Sequence, residues 1–386
     1  MSIGFAKTSV VRIELPNIPE VTPYAVDDCS LSFRLGYATK TLWWVLNQKD
    51  EHYTVHRIPK KRKGFRIIHA PSPFMKSFLR RVHAKFLIPL QSQLGDHVTA
   101  YRKGLSTRHA VAQHIPACKT CDGTPKGVSP KKHECPRRGA VIQMDLRDFF
   151  GSTHRSWIRN YFKDAGYNHY TASLLAGLLT VDDLPQVSAG VPQGAPTSGA
   201  ICNLIADDRI DHQILSYLKT LDKKMNLKDV WCWRYTRYSD DLCFTCGVNI
   251  SKEESQEICG CITDIIQTAE YRINPLKTRV GHSFYRKTLL GMVFNQKPNI
   301  PREKYLLFRA MVHNSLTHGI ETQYARAGYP TVEQYIDYLR GNVNYINQVI
   351  GKLNPERADR LKIELDVAIS DYEMVCKKAQ EEVKHA

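Results

Sequence analysis

The sequence predicts an α+β fold, an antiparallel sheet packed on helices. Three stretches carry that reading. Trp231 to Val248, WCWRYTRYSDDLCFTCGV, sets aromatic and β-branched flanks around a short polar turn, the pattern of an antiparallel hairpin. Tyr53 to Pro73, YTVHRIPKKRKGFRIIHAPSP, reads as a second hairpin that turns at Gly64. From Arg302 onward the apolar spacing is helical, through REKYLLFRAMVHNSLTHG, TVEQYIDYLRGNVNYINQVI and PERADRLKIELDVAISDYEMVCKKAQEE.

A chain of 386 residues can bury a sizeable core, divided among two or three subdomains. A hydrophobic content of 42% with 10% aromatics belongs to a folded protein. The charge is lopsided: 54 Lys plus Arg against 38 Asp plus Glu gives +16, which points to a polyanionic partner, nucleic acid by default. No run of eighteen apolar residues occurs, so no membrane span is expected. The N-terminus lacks the long apolar core of a secretory signal, so a cytoplasmic location with reduced thiols is expected for the 11 cysteines.

Taken in order, Leu31 to Leu46 is expected to form a helix. The hairpin that follows carries Lys60, Lys61, Arg62 and Lys63, with Arg66 on the returning strand. Such a basic turn suits a triphosphate, since Arg offers a fork and Lys a point charge; by itself it reads as readily as a solvated turn. Phe74 to Leu94 is expected as an amphipathic helix with Lys76, Arg80, Arg81 and Lys85 on its wet face. Residues 99–114 are basic and Gly-broken, fit to line a nucleic-acid groove through phosphate contacts.

Ile115 to Gly139 differs in composition and reads as a surface insertion. Cys118, Cys121, His133 and Cys135 supply four soft ligands in eighteen residues, enough to close a tetrahedral zinc site; the rival reading is a loop with free thiols.

Ala140 to Met144 is a short apolar strand that runs into Asp145, and a helix capped by Ser152 or Thr153 follows, closed by Gly166. Gly190 to Ser198, GVPQGAPTS, allows close backbone approach to a ligand and offers the Gln193 amide. Thr197 or Ser198 then starts a helix whose Ile201, Leu204, Ile205, Ile214, Leu215 and Leu218 suit burial of one face. At the tip of the Trp231–Val248 hairpin lie Asp240 and Asp241. Asp145 at a strand end is placed to meet them, and adjacent carboxylates are what a pair of divalent ions needs in a phosphoryl transfer. Three other acidic pairs weigh less: Asp27-Asp28 and Asp182-Asp183 in loop-like sequence, and Asp207-Asp208 on what reads as a solvated helix face. Ser251 to Ala269 is expected helical, Ile273 to Thr278 a loop into a strand, and Leu289 to Asn295 a further strand.

In this order the blocks IPKK…GFRIIHAP, DLRDFF, GVPQGAPTS, YSDD, INPLKTR and LLGMVFNQKPNIPREKYLLFRAMVHN resemble a reverse transcriptase of the bacterial retron and defence-associated group. The resemblance runs from about residue 55 to 345. It implies a right-hand polymerase with fingers at 51–114, a palm at 140–298 that includes the remaining fingers helices, and a helical thumb at 299–386. Residues 1–50 would be an N-terminal segment and 115–139 the Cys/His insertion. Asp145, Asp240 and Asp241 would hold two Mg²⁺ ions, with the Leu146 carbonyl near them. Lys60, Lys61 and Arg66 would grip the triphosphate, Phe150 would exclude a 2′-hydroxyl, and Gln193 would contact nucleotide or template. Lys277 would donate a proton to pyrophosphate, and Leu290-Gly291 would be the primer-holding turn. The implied partners are an RNA template, a DNA or RNA primer and dNTPs, with a cognate non-coding RNA, an effector protein and self-association as further possibilities of that bacterial, antiviral setting.

Three features depart from the retron pattern, one of them the Cys-bearing segment, which lengthens the link between fingers and palm. Where retron enzymes carry Asn-Ala-x-x-His, only His114 of Ala110 to His114 remains, and Leu289-Leu290-Gly291 replaces Val-Thr-Gly. A true retron enzyme and another defence-associated reverse transcriptase both stay open. So do a template-independent or protein-primed nucleotidyltransferase and a nucleic-acid-binding protein without chemistry. An RNA polymerase is disfavoured by the bulk of Phe150.

Overall fold

A computed structural model of the chain describes residues 28–60, 64–123, 133–184, 187–281, 286–351 and 353–385. It forms two compact units, Met1–Lys85 with Thr153–Thr197, and Phe86–Ser152 with Ser198–Ala386. The class is α+β, as the sequence predicts, and every ladder between its strands is antiparallel.

In the first unit the basic hairpin pairs Tyr53–Pro59 with Phe65–Pro71, from Tyr53 opposite Pro71 to Pro59 opposite Phe65. Gly64, at φ +100°, supports the turn, and its carbonyl accepts the Lys60 N–H at 2.9 Å. The helix expected over Leu31 to Leu46 is two helices, Asp28–Leu35 and Thr39–Asn47. Gly36 breaks it at φ +68°, and a Cβ there would sit 2.7 Å from the Arg81 guanidinium, which donates to the Leu35 and Gly36 carbonyls. The helix Arg155–Asp164 is capped by His154, whose ring accepts the Ser156 N–H at 3.2 Å, rather than by Ser152 or Thr153. Asp182 stands on a strand, Val181–Leu184, and not in a loop; it pairs with Arg155 at 2.6 Å and Lys49 at 3.3 Å. The hairpin meets the Gly-rich loop: the His69 N–H donates to the Gln193 carbonyl at 2.8 Å, beside Gly194 at φ +127°.

The second unit is built on a four-stranded sheet of β1 (Val141–Asp145), β2 (Arg234–Tyr238), β3 (Asp241–Thr245) and β4 (Arg279–Gly281), in the order β2-β3-β1-β4. Central β1 is apolar at Val141, Ile142 and Met144 and buried there, as a strand covered on both faces must be. Ser198–Ala206 continues through a π turn, Asp207–Asp211, into His212–Lys224. Lys252–Thr268 starts on a capping box in which Ser251 and Glu254 satisfy each other's backbone N–H. Of the apolar stripe expected, Ile201, Leu204, Ile205, Ile214 and Leu218 are buried, while Leu215 is only half-buried.

The single strand expected over Leu289 to Asn295 is instead a small hairpin, β5 (Thr288–Leu289) and β6 (Met292–Val293). Leu290 and Gly291 make its turn at φ +50° and +78°, the left-handed pair that matches strand twist. Leu289 and Met292 join a core shared with Arg302–His318, Val332–Ile350 and Pro355–His385, centred on Val312, Leu339, Val343 and Leu361.

Candidate active site

Register places the carboxylates. Asp145, the last residue of β1, stands opposite Asp241, the first residue of β3, and Asp241 also closes the hairpin opposite Tyr238. Only Ser239 and Asp240 lie between β2 and β3. Ser239 adopts φ +61°, so the tight primed turn is made by a residue that is not glycine. The Asp240 carbonyl accepts the Leu146 N–H at 2.9 Å, which ties the turn to the end of β1. The fold thus gathers Asp145, Asp240 and Asp241 at one end of the sheet.

The loop before β4 adds a cation. Lys277 donates to Asp145 Oδ2 at 2.6 Å, and Asn274 donates its backbone N–H to the Asp145 carbonyl at 2.8 Å. A cavity of about 280 Å³ opens beside them, lined among others by Asp145, Asp241, Lys277, Leu290 and Gly291.

Electrostatics show what this cluster lacks. Asp241 meets solvent at its rim, but the cleft walls withdraw enough water to push its carboxyl up to about 6, helped by the charges of Asp240 and Asp145. Asp240 is raised as well, by burial first and then by Asp145. For Lys277, partial burial works against the charge, yet the Asp145 bond and the two neighbouring carboxylates hold it above its ordinary value. One ammonium against three carboxylates leaves net negative charge, and the donors are all hard oxygens. That set fits a hard divalent cation. The three do not form a closed cluster of ligand atoms: the groups drawn within 4.8 Å of one another among the described residues are Cys118, Cys121, His133 and Cys135, and His97, Asp207 and Asp211.

The second of those groups is a brace. Arg237 on β2 is fully buried and grips both Asp211 oxygens at 2.7–3.0 Å, with further bonds to the Asn203 side-chain and main-chain oxygens. Asp207 bonds His97 at 2.8 Å, so its expected place on a solvated face is corrected; it turns inward, while Asp208 is exposed. Burial lowers the His97 pKa, and the Asp207 and Asp211 bonds more than reverse this, up to about 9. A protonated His beside a buried Arg leaves these carboxylates compensated already. On the other side of the hairpin, buried His114 bridges Thr236 and Thr245 at 2.7 and 2.9 Å, and burial pushes its pKa down to about 3, so it is neutral.

The first group is drawn tight. His133 Nε2 lies 3.3 Å from Cys118 Sγ and 3.4 Å from Cys121 Sγ, and Cys135 Sγ lies 3.7 and 3.6 Å from the same two sulfurs. Ligands at zinc bond lengths in a tetrahedron are spaced by roughly 3.5–3.8 Å, so the residues fit that ion. Asp122 braces the knuckle, accepting the Cys118 N–H at 3.0 Å, and both of its oxygens accept from Arg137 Nη2 at 2.6 and 2.7 Å.

A family model described as reverse transcriptase (RNA-dependent DNA polymerase) matches residues 58–318. The chain belongs to the reverse transcriptase family. It is 28% identical over 327 residues to the retron Mx65 reverse transcriptase of Myxococcus xanthus, across 81% of this chain and 64% of that protein. Against the retron Mx162 reverse transcriptase of the same organism, identity is 25% over 74% of this chain and 58% of that protein. The retron Ec86 reverse transcriptase of Escherichia coli is 26% identical, across 74% of this chain and 77% of that one. The chain therefore spans less than two thirds of the two Myxococcus proteins.

Within this reverse transcriptase the remaining expected residues fall as follows. Phe150 sits four residues beyond Leu146, half-buried, its ring 5.6 Å from Phe149 and 6.1 Å from Tyr101. Lys60, Arg66 and Gln193 belong to the first unit, with Lys60 and Arg66 exposed on the hairpin. Lys61 lies outside the described residues, as do Arg62 and Lys63. Sequence reasoning missed Asn274, although the block INPLKTR contains it, and missed Arg237, Asp211 and Tyr101. No helix among the described residues is long and apolar enough to cross a membrane.

Proposed function

We propose that the chain is an RNA-directed DNA polymerase of retron type, which extends a primer by transferring nucleotidyl groups from dNTPs. The observation that carries this reading is the register of Asp145 against Asp241, with Asp240 in the adjoining turn and Lys277 bonded to Asp145. Asp145, Asp240 and Asp241 would hold the two Mg²⁺ ions, with the Leu146 carbonyl beside them. Bound there, the ions would activate the attacking primer hydroxyl and neutralise charge on the leaving pyrophosphate. The protein's own part is positioning. Asn274 and Lys277 fix Asp145, and Lys277, kept protonated, is suited to give a proton to the departing pyrophosphate. Lys60, Lys61 and Arg66 would hold the triphosphate, Gln193 would touch nucleotide or template, and the Phe150 ring would meet the sugar where a 2′-hydroxyl would project.

Residues 51–114 and the helices within 153–197 would serve as fingers, the β1–β4 sheet as palm and the helices from Arg302 as thumb, with Leu290-Gly291 holding the primer. Cys118, Cys121, His133 and Cys135 would bind one structural zinc. The reading includes an RNA template, a non-coding RNA partner as the relatives' retron names suggest, and a role in antiviral defence.

The test is Mg²⁺-dependent dNTP incorporation on a primed RNA of known sequence. The wild type should copy that sequence; Asp240→Asn and Asp241→Asn should remain folded and bind RNA but make no product. Product independent of the added RNA would favour the template-independent alternative, and near-normal synthesis by both variants would overturn the assignment of the carboxylates.

A further inference from the structure

Tyr101 is held in a conformation that its side chain disfavours. It has φ +55°, yet it is not a glycine, and the residue as a whole is 49% exposed. The backbone around it is pinned from both sides: Asn203 donates to the Ala100 carbonyl at 2.7 Å and Gln91 to the Tyr101 carbonyl at 3.3 Å. Asn203 in turn accepts from Arg237 at 2.9 Å, two residues before Ser239. The ring lies on Gly199, where an added Cβ would come within 2.2 Å of Tyr101 Cγ, so the helix leaves a space for it. Strained residues over-determined by their surroundings cluster at active sites and ligand clamps.

Its two free edges point to what that function is. The Tyr101 hydroxyl and the Ser239 hydroxyl share a hydrogen bond of 3.1 Å, and Ser239 is itself at φ +61° immediately before Asp240. The ring meets Phe150 edge to face, with centroids 6.1 Å apart and planes at 65°. One side chain therefore touches both the turn that carries Asp240 and the ring assigned to the sugar.

We propose that Tyr101 is a positioning residue whose ring backs Phe150, and so sets the discrimination between deoxyribonucleotides and ribonucleotides, while its hydroxyl holds the Ser239-Asp240 turn. The inference rests on Phe150 being the sugar-facing ring. Its two contacts divide the work: the hydroxyl steadies the turn, and the ring backs the gate.

The experiment measures kcat and KM for a dNTP and the matching rNTP on a primed RNA, together with the melting temperature, for the full-length wild type, Phe150→Val, Tyr101→Phe, Ser239→Ala, the double variant of the last two, and Tyr101→Asn. Asn tolerates positive φ, so Tyr101→Asn should melt at the wild-type temperature or above it. Its preference for dNTP over rNTP should fall by about tenfold or more, the scale of one lost positioning contact. Tyr101→Phe and Ser239→Ala should each lower kcat, keep the sugar preference, and lose no more when combined, since they remove one shared bond. A stable Tyr101→Asn with wild-type sugar preference, while Phe150→Val has lost it, overturns the inference alone. An unchanged preference in Phe150→Val overturns the gate assignment, and the inference with it. If Tyr101→Asn melts lower, the cycle decides: additive losses from Tyr101→Phe and Ser239→Ala refute the shared bond.

Discussion

Asp145 and Asp241 stand opposite each other across the β1–β3 ladder, and Lys277 is bonded to the first of them at 2.6 Å. The pairing is unfavourable by itself, because like charges directly across a ladder repel. The Asp241 carboxyl is raised first by burial and then by the charges of Asp240 and Asp145, so the pairing adds to a cost that desolvation sets.

Stability should therefore fall with rising pH across a defined window. Asp241 holds its proton up to about 6 in the folded protein against 3.8 ordinarily, so between those values the folded state binds more protons than the unfolded one. Below the lower value the penalty is absent; above about 6 it is complete. In metal-free buffer at pH 8, Asp241→Asn should melt above the wild type, by on the order of 1 kcal/mol after screening by solvent at the rim. The gain should vanish near pH 4. Added Mg²⁺ should then stabilise the wild type and not the variant. Thermal melts across pH, with and without Mg²⁺, check all three; a wild type indifferent to Mg²⁺ would count against a cation at these carboxylates.

Lys277 competes for the charge that a cation would neutralise. Removing it in Lys277→Met should lower the Mg²⁺ concentration that half-saturates thermal stabilisation, by a few-fold given its partial exposure. The same change should slow nucleotide incorporation if Lys277 supplies the proton to pyrophosphate as proposed. A variant with weaker Mg²⁺ binding would show instead that Lys277 orients Asp145 rather than offsetting it. Titration by melting temperature and single-turnover kinetics separate the two effects.

Arg237 and Asp211 are both fully buried, and each satisfies the other. Arg237→Met leaves Asp211 charged and buried, with the Tyr235 hydroxyl at 2.8 Å and His97 as its remaining partners, which should cost about 3–5 kcal/mol. Arg237→Met with Asp211→Asn should recover part of that loss. Urea denaturation reads both values, and a single variant that loses under about 1 kcal/mol would mean that this brace is dispensable.

The carboxylates were legible in the sequence because Asp145 ends a strand, Asp241 begins one and Asp240 sits in the two-residue turn between strands, and both strand alternation and turns are local. The Leu289 to Asn295 segment misled for the same reason: its apolar content suits a strand, but the turn at Leu290-Gly291 needs two left-handed residues, and leucine does not announce one. Arg237 was silent because its partner Asp211 is 26 positions away on another element. Asp207 looked like a wet helix residue for want of His97, 110 positions off. His154 as a cap, where Ser152 and Thr153 offered the usual hydroxyls, turned on where the helix starts by a residue or two. The strain at Tyr101 could not be read at all, since φ is imposed there by Asn203, Gln91 and Gly199.

The Cys/His knuckle gives the last prediction. Its four candidate ligands were visible as residue types, and the fold brings their atoms to the spacing a zinc ion would need. The knuckle is bolted to the small hairpin: the buried Lys287 ammonium donates to the Arg137 carbonyl at 3.0 Å and the Gly139 carbonyl at 2.6 Å, one residue before β5. Gln143 on β1 then donates to the Thr288 carbonyl at 2.5 Å. Loss of the ion should therefore be felt at Leu290-Gly291 as well as in the knuckle. Elemental analysis of protein purified without chelator should find close to one zinc per chain, and none in Cys118→Ser with Cys121→Ser. That variant should melt several degrees lower, as expected when metal-binding free energy of about 10 kcal/mol or more is partly folding free energy. Its KM for primed template should rise more than its kcat falls, because the hairpin lies beside the carboxylates without supplying one. Purified protein free of zinc, with the same melting temperature before and after chelation, would return the four side chains to an ordinary thiol loop.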